Sequence, residues 1–259
     1  MRPAATLLPA VISVVALNAC NNYSAPSAAA PTPTHHKGTT MPASTGTLAT
    51  QLDAFKADFS ARADEETKAA FEQGIKEVAD SGVLDSALKV GDRAPDFELP
   101  DARGSLVRSA DLLAQGPIVV TWYRGGWCPY CNLQLRAYQE VLPELKSAGA
   151  QLVAISPETA DNSLTTLQKN ELDFVVLSDV GLGVAEAFGV AYRLPEVVEA
   201  KFKGRLDLPA SNGDDSWRLP LSATYVIDRD GVVRWAYVTE DYRERAEPSD
   251  VVEAVRAVR

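Results

Sequence analysis

Large apolar side chains first recur at helical spacing from about residue 48. The first apolar face holds Leu52, Phe55 and Phe59, and the second holds Phe71, Ile75 and Val78. Spacings of three and four residues place each set on one side of a helix. Asp64, followed by two acidic residues, suits the start of the second helix, and Gly82 suits its end. We therefore expect a helical extension over residues 48–88 that packs on the main domain or on a second copy of the chain, as in a homodimer.

Farther along, short apolar runs alternate with segments of helical pattern. The runs cover residues 118–123, 152–155, 174–177, 224–227 and 232–238. Strands connected through helices lie parallel, so the first three runs should be parallel neighbours. The last two flank the turn sequence Asp-Arg-Asp-Gly, which predicts a hairpin, and a final helix is expected over 250–258. This order predicts an α/β domain over residues 89–259 with a thioredoxin-like fold, in which helices flank a central mixed sheet.

Two segments of this domain interrupt the alternation. Residues 89–104, KVGDRAPDFELPDARG, are rich in turn residues and indicate a short hairpin. Residues 191–220 form a long insertion before the last hairpin, with a turn sequence at Asn212 and Gly213. Structureless loops seldom reach this length, so part of the insertion should be helical.

The first 47 residues have the composition of a targeting segment followed by a tether. An apolar run after Met1 and Arg2 is too short to span a membrane as a helix, and it predicts a signal peptide over residues 1–19. The run ends in Leu-Asn-Ala-Cys, which resembles the lipobox of bacterial lipoproteins and implies lipidation of Cys20; a signal peptide cut farther along would discard this cysteine. Residues 20–47 hold few large apolar side chains, so a disordered tether is expected. The sequence thus predicts export to the bacterial cell envelope, facing the periplasm, with membrane attachment only through the lipid.

Charge and residue counts narrow the chemistry of the folded part. A formal net charge of -10 disfavours nucleic acid as a partner. Three cysteines in 259 residues do not make a disulfide-stapled scaffold. A structural zinc site needs four ligands, and the only histidines, His35 and His36, lie in the tether, so the sequence disfavours such a site. We expect neither a metal nor a cofactor.

The candidate chemistry lies in the stretch YRGGWCPYC over residues 123–131. It follows a predicted strand and precedes a helical pattern made by Leu135, Tyr138, Leu142 and Leu145. Pro129 is tolerated in a first helical turn, so Cys128 and Cys131 are expected at a helix N-terminus, where free N–H groups and the helix dipole stabilise a thiolate. Residues three apart share one side of a helix, so the pair can cycle between dithiol and disulfide.

Residues from about 89 to 259 also resemble a known family. The motifs are GDRAPDFELPD, WYRGGWCPYC, QLVAISPE, FVVLSD and ATYVIDRDG. They are similar to the alkyl hydroperoxide reductase C / thiol-specific antioxidant group of peroxiredoxins, near the bacterioferritin comigratory protein branch. The resemblance implies a thioredoxin fold and a thioredoxin-dependent peroxidase that reduces hydrogen peroxide or organic hydroperoxides, with electrons returned by thioredoxin or a similar dithiol.

The chain departs from the peroxiredoxin pattern around its cysteines. Counted back from Cys131, which matches the peroxidatic cysteine, Cys128 stands where the family has threonine and Arg124 where it has proline. Peroxiredoxins often carry an arginine, and thioredoxin-like oxidoreductases a cis-proline, at the position that is Ser222 here. Arg124 is therefore the nearest candidate for a cation beside the thiolate, unless it faces solvent.

Three functions remain open at this point. In the first, Cys131 attacks a peroxide and Cys128 resolves the sulfenic acid to a Cys128–Cys131 disulfide, with Arg124, Trp127 and Pro129 as supporting residues. In the second, the chain is an exported thiol–disulfide oxidoreductase in which Cys128 attacks a protein disulfide. In the third, it is a tethered redox sensor without turnover.

Overall fold

The computed structural model describes residues 46–258, and they belong to one compact unit. The predicted signal peptide, the tether up to residue 45 and Cys20 lie outside the described residues. Within 46–258, no helix combines the length and the apolar character that crossing a membrane requires.

The predicted helical extension is present and is formed by three helices. They are α1 (Leu48–Arg62), α2 (Glu65–Asp80) and α3 (Val83–Ser86). The Asp64 side chain accepts the N–H of Thr67 at 2.6 Å and so caps α2, as its position in the sequence predicts. Gly82 follows the end of α2 with a φ of 74°, a conformation that glycine adopts without strain. We call α1 and α2 the arm.

The remainder of the chain alternates strands and helices. In chain order the elements are β1 (Glu98–Pro100), β2 (Leu106–Arg108), α4 (Ser109–Leu113), β3 (Ile118–Trp122), α5 (Pro129–Ser147), β4 (Gln151–Ser156), α6 (Ala160–Lys169), β5 (Val175–Ser178), α7 (Gly183–Ala187), β6 (Ala191–Arg193), α8 (Glu196–Phe202), α9 (Leu208–Asn212), β7 (Arg218–Pro220), β8 (Ser222–Ile227), β9 (Val233–Thr239) and α10 (Pro248–Ala257).

Five of these strands form the central sheet, in the order β5-β4-β3-β8-β9. The strands β3, β4 and β5 are parallel, whereas β8 pairs antiparallel with both β3 and β9. The sheet is therefore mixed and flanked by helices, which confirms the predicted thioredoxin-like architecture. Side chains alternate across β3: Val119 packs with α5 and α10, while Val120 and Trp122 pack on the opposite face with Phe188.

The two interrupting segments differ in part from the prediction. The predicted hairpin over 89–104 is too short, since these residues hold only its first strand, β1, and the turn. The Asp101 side chain accepts the N–H groups of Arg103 and Ser105 in that turn. The second strand, β2, pairs with β1 and begins after residue 104. The insertion over 191–220 contains the predicted helical part as α8 and α9. Its two ends pair as the three-residue strands β6 and β7. No local sequence pattern predicts this pairing.

The arm packs on the main domain of the same chain. Leu48 and Leu52 are buried in the core cluster that contains α5. The Glu247 carboxylate, just before α10, accepts the N–H of Leu48 at 3.2 Å and that of Ala49 at 2.5 Å. Along α2, an ion pair of 2.5 Å joins Lys201 of α8 to Glu66. Exposed ion pairs contribute little to stability, so the buried apolar contacts hold the arm in place.

Candidate active site

The two cysteines lie where β3 leads into α5, as the sequence predicts. Cys128 is the N-cap residue of α5, Pro129 occupies its first turn, and Cys131 follows within that turn. Proline fits there because its missing N–H would have had no partner inside the helix. The sulfurs therefore meet at the positive end of a 19-residue helix.

Cys131 is held in an environment that favours its thiolate. It is completely buried, and its Sγ accepts the backbone N–H of Arg124 at 3.4 Å and the Arg245 Nη2 at 3.2 Å. Burial by itself raises the pKa of the Cys131 thiol, but the hydrogen bond from Cys128, the charges of Arg245 and Arg124 and the Arg124 N–H lower it from 9.0 to about 5. Cys131 is thus ionised at neutral pH.

Cys128 has the opposite protonation state. It is 1% exposed, and burial, its hydrogen bond to Cys131 and the negative charge of that neighbour raise the pKa of the Cys128 thiol well above 9.0. A thiolate accepts a hydrogen bond that a neutral thiol donates, so the two states stabilise each other. Both cysteines are reduced in the structure.

Arg245 is the functional residue that sequence reasoning missed. It lies in the segment between β9 and α10, is only 6% exposed, and is oriented by bonds from Nη1 to the carbonyl oxygens of Tyr242 and Glu244. This residue places a cation at Cys131, while the strand position where peroxiredoxins often carry arginine holds Ser222. No local motif marks Arg245, because it reaches the cysteine only through the fold.

Arg124 is buried rather than solvent-facing. Its guanidinium carbon lies 4.2 Å from the centroid of the Tyr242 ring and 5.0 Å from that of Trp127, and a third ring, Phe202, lies 5.9 Å away. Cation–π attraction compensates part of the cost of burying this charge. The Arg124 charge favours the thiolate of both cysteines, although the pKa of Cys128 stays raised, and the Arg124 backbone N–H contacts Cys131 directly. Among the predicted supporting residues, Trp127 therefore orients Arg124, while Pro129 starts the helix.

The buried Glu158 side chain holds the loop that precedes the cysteines. Its Oε2 accepts the N–H of Gly126 at 2.9 Å and the Thr166 hydroxyl at 3.3 Å, and its Oε1 accepts the Ser211 hydroxyl at 3.2 Å. Burial raises the pKa of this carboxyl group despite these three bonds. Glu158 ends the QLVAISPE motif, so its position was visible in the sequence although its contact with the loop was not.

A cleft of about 400 Å³, lined in part by the arm, opens onto Cys128. Its lining comprises Phe55, Phe59, Thr67, Phe71, Arg124, Trp127, Cys128, Pro129, Tyr130, Lys201, Phe202, Arg205, Leu206 and Tyr242. Cys128 faces the cleft, and Cys131 lies behind it. Among residues 46–258, no three histidine, cysteine or carboxylate side chains are grouped to hold a metal ion.

The fold and the site define a class: a thioredoxin-like domain with a buried cysteine pair at a helix N-terminus. The model of the AhpC/TSA family matches residues 90–236, more than half of the chain. The chain therefore belongs to the AhpC/TSA family.

Individual relatives agree with this assignment. Peroxiredoxin Bcp of Escherichia coli strain K12 is 36% identical over 103 residues, which are 40% of this chain and 65% of that protein. The chloroplastic peroxiredoxin Q of Oryza sativa subsp. japonica is 31% identical over 147 residues, which are 57% of this chain and 58% of the plant protein. The chain thus spans less than two thirds of the length of these curated relatives.

A solved structure shows the same fold. The crystal structure of peroxidoxin BcpB from Mycobacterium tuberculosis is similar with a TM-score of 0.53 and 26% identity, covering 66% of this chain and 99% of that one. The reduced 2-Cys peroxiredoxin of Plasmodium vivax, at 17% identity and a TM-score of 0.52, covers 66% of this chain and 82% of its own, and supports the fold alone.

Proposed function

We propose that the protein is a thiol-dependent peroxidase in which Cys131 attacks the peroxide. The observation that carries this proposal is the contact of the Arg245 guanidinium with the Cys131 sulfur at 3.2 Å. This contact helps to lower the pKa of the Cys131 thiol to about 5. A thiolate is the nucleophilic form of cysteine, and an adjacent guanidinium can also bind the peroxide oxygens. The relatives named peroxiredoxin support the same reaction.

The proposed oxidation transfers one oxygen atom. The Cys131 thiolate attacks the terminal oxygen of ROOH, the O–O bond breaks, and an S–O bond forms. The sulfur loses two electrons and becomes sulfenic acid, while RO⁻ leaves and takes a proton from solvent to give ROH. Arg245 and Arg124 are the positive charges nearest to the negative charge that moves from sulfur to the leaving oxygen.

Cys128 is the proposed resolving residue. Its sulfur attacks the sulfenic sulfur of Cys131, an S–S bond forms, and the hydroxyl leaves as water with the thiol proton. The existing hydrogen bond between the two cysteines places the sulfurs side by side, so the step needs little rearrangement. The chain has no other cysteine within residues 46–258 to take this role.

Recharging is proposed to use thioredoxin or a similar dithiol, which becomes a disulfide as the Cys128–Cys131 bond is reduced. An attacking thiolate must reach a sulfur in line with the S–S bond. Cys128 is 1% exposed, so a protein dithiol would gain access only after the cleft has opened around it.

The test compares two activities of one purified sample of residues 46–259. Peroxide-dependent consumption of a reductant, lost on Cys131→Ser, is the expected result. Insulin disulfide reduction without peroxide consumption would overturn it. Reversible oxidation without any turnover would also overturn it and would favour the sensor function.

A thiol–disulfide oxidoreductase is the second candidate, and one observation favours it. Cys128, the outer cysteine of the pair, is the one that faces the cleft, as an attacking cysteine of that class must. The raised pKa of Cys128 weighs against it, because a neutral thiol is a poor nucleophile.

We propose in addition that the chain is exported and anchored through lipid on Cys20, as the sequence motif implies. A periplasmic location would require a dithiol donor in the cell envelope. Mass spectrometry of the membrane fraction should find a mature chain that begins with modified Cys20. A soluble chain that begins beyond Cys20 would remove the anchor, and an uncleaved precursor in the cytosol would remove export.

A further inference from the structure

The arm contributes directly to the cleft above the cysteine pair. Phe55 and Phe59 of α1 and Phe71 of α2 line it, and all three precede residue 90, where the family match begins. The cleft wall is therefore partly built from a segment outside the matched region.

These phenylalanines belong to an aromatic wall that Tyr242 makes continuous, with its ring centroid 5.6 Å from that of Tyr130 and 6.3 Å from that of Phe71. Phe55 meets Tyr130 edge-on with ring centroids 5.0 Å apart, and Tyr130 lies between the two cysteines in sequence. Phe59 meets Phe71 at 5.8 Å, and Phe71 lies 6.1 Å from Phe202 of α8. The wall thus runs from the cysteine loop across the arm to the insertion.

The arm separates its packing residues from its cleft residues. Leu48, Leu52 and Val78 are buried and hold the arm on the domain. Phe55, Phe59 and Phe71 remain partly exposed and face the cleft. Aromatic side chains that served only to anchor the arm would gain more from full burial.

The cleft has the character of a site for an apolar group. Its volume of about 400 Å³ lies in the range of small-molecule sites. No carboxylate lines it. Of its three cations, Arg124 is covered by the Trp127 and Tyr242 rings, Lys201 is paired with Glu66, and Arg205 is exposed. Hydrogen peroxide is smaller than this space and has no apolar surface to bury there.

We propose that the arm is a specificity element: Phe55, Phe59 and Phe71 select hydroperoxides that carry a bulky apolar substituent over hydrogen peroxide. The proposal rests on the proposed peroxidase function. The substituent packs against the aromatic wall, while the O–O group points past Cys128 to Cys131. Burial of the substituent lowers the free energy of the bound bulky hydroperoxide and leaves that of bound hydrogen peroxide unaffected.

The first experiment measures kcat/KM of the full chain for cumene hydroperoxide and for hydrogen peroxide. The ratio of the two should fall about tenfold in Phe59→Ala, and recover in part in Phe59→Leu, since the loss of a wall that contacts an apolar substituent costs about one order of magnitude in specificity. The matched control is Leu106→Ala, an apolar residue 63% exposed and outside the cleft, in which the ratio should not change. An unchanged ratio in both Phe59 variants, with circular dichroism like that of the parent, would overturn the proposal.

A second measurement separates this proposal from the proposed function. Cumyl alcohol, the reduction product of cumene hydroperoxide, should bind the wild-type chain in isothermal titration calorimetry, and bind about tenfold more weakly after Phe59→Ala. Binding of this kind without any peroxide turnover would support an apolar binding site in the cleft and would reject the proposed peroxidase function. Turnover without binding, and with the same ratio in all variants, would reject the specificity element and leave the peroxidase standing.

Discussion

The Nη2 atom of Arg245 lies 3.2 Å from the Sγ atom of Cys131, although 114 residues separate the two in the chain. The contact pairs a buried cation with a buried thiolate at the start of α5. The helix dipole contributes only about 1 kcal/mol to an anion at its N-terminus and acts on both cysteines. What distinguishes Cys131 is the set of donors at its sulfur: the Cys128 thiol, the Arg245 guanidinium and the Arg124 N–H each donate a hydrogen bond to it.

Replacement of Arg245 should raise the pKa of Cys131. In Arg245→Gln the thiolate loses its nearest positive charge, and the pKa should rise by about 1 to 3 pH units. The measurement is the ultraviolet absorbance of the thiolate as a function of pH. Arg256→Gln is the control, because Arg256 is exposed, pairs with Glu144 and lies outside the site. A titration of Arg245→Gln that coincides with that of the parent would contradict the assignment.

The reaction with peroxide should depend on pH through Cys131. With its pKa near 5 the thiol is ionised at neutral pH, so the second-order rate constant should be flat there and fall about tenfold per pH unit once the pH is well below 5. The same group affects stability. Its folded-state pKa is below its ordinary value of 9.0, so the stability that it contributes is complete above pH 9.0 and is lost as the pH falls to about 5. Stopped-flow oxidation and urea unfolding at several pH values test both, and a rate that still rises between pH 7 and 9 would show that Cys131 is a thiol at neutrality.

Single cysteine variants should establish the order of attack. Cys128→Ser should form one sulfenic acid at Cys131 that dimedone traps, because the nucleophile remains and the resolving thiol is gone. Cys131→Ser should trap little, because burial, the largest cause of the raised pKa of Cys128, remains in this variant. Mass spectrometry of the adducts is the measurement. An adduct on Cys128 in the second variant, with none in the first, would reverse the roles and favour the oxidoreductase.

Two glycines provide a matched test of how α3 packs on the domain. Gly189 and Gly181 both have positive φ, at 70° and 79°. A Cβ atom at Gly189 would lie 1.9 Å from the carbonyl oxygen of Ser86 at the end of α3, whereas one at Gly181 would meet nothing within 4 Å. Gly181→Ala should cost about 1 to 2 kcal/mol of unfolding free energy from the backbone conformation alone. Gly189→Ala should cost clearly more, and equal losses in urea unfolding would mean that the Ser86 contact is not tight.

The sequence determined the features that depend on neighbours along the chain. The strands β3, β4, β5, β8 and β9, the two arm helices and the cap at Asp64 follow from periodicity and capping chemistry within a few residues. The position of Cys128 and Cys131 at a helix N-terminus belongs to the same group, because a strand, a glycine turn and a proline adjoin them in sequence. The family resemblance rests on motifs of this local kind.

Only the tertiary structure decided what surrounds the sulfurs. Arg245, Glu158 and the phenylalanines of the arm come from segments far from residue 128, and each reaches the site because the sheet, the insertion and the arm pack together. These distances cannot be read from residue types alone. Arg124, near the cysteines in sequence, contacts Cys131 through its backbone N–H, whereas the distant Arg245 supplies the guanidinium contact. The pKa of a buried thiol depends on charges and N–H groups within a few ångströms in space, and that arrangement exists only once the chain has folded.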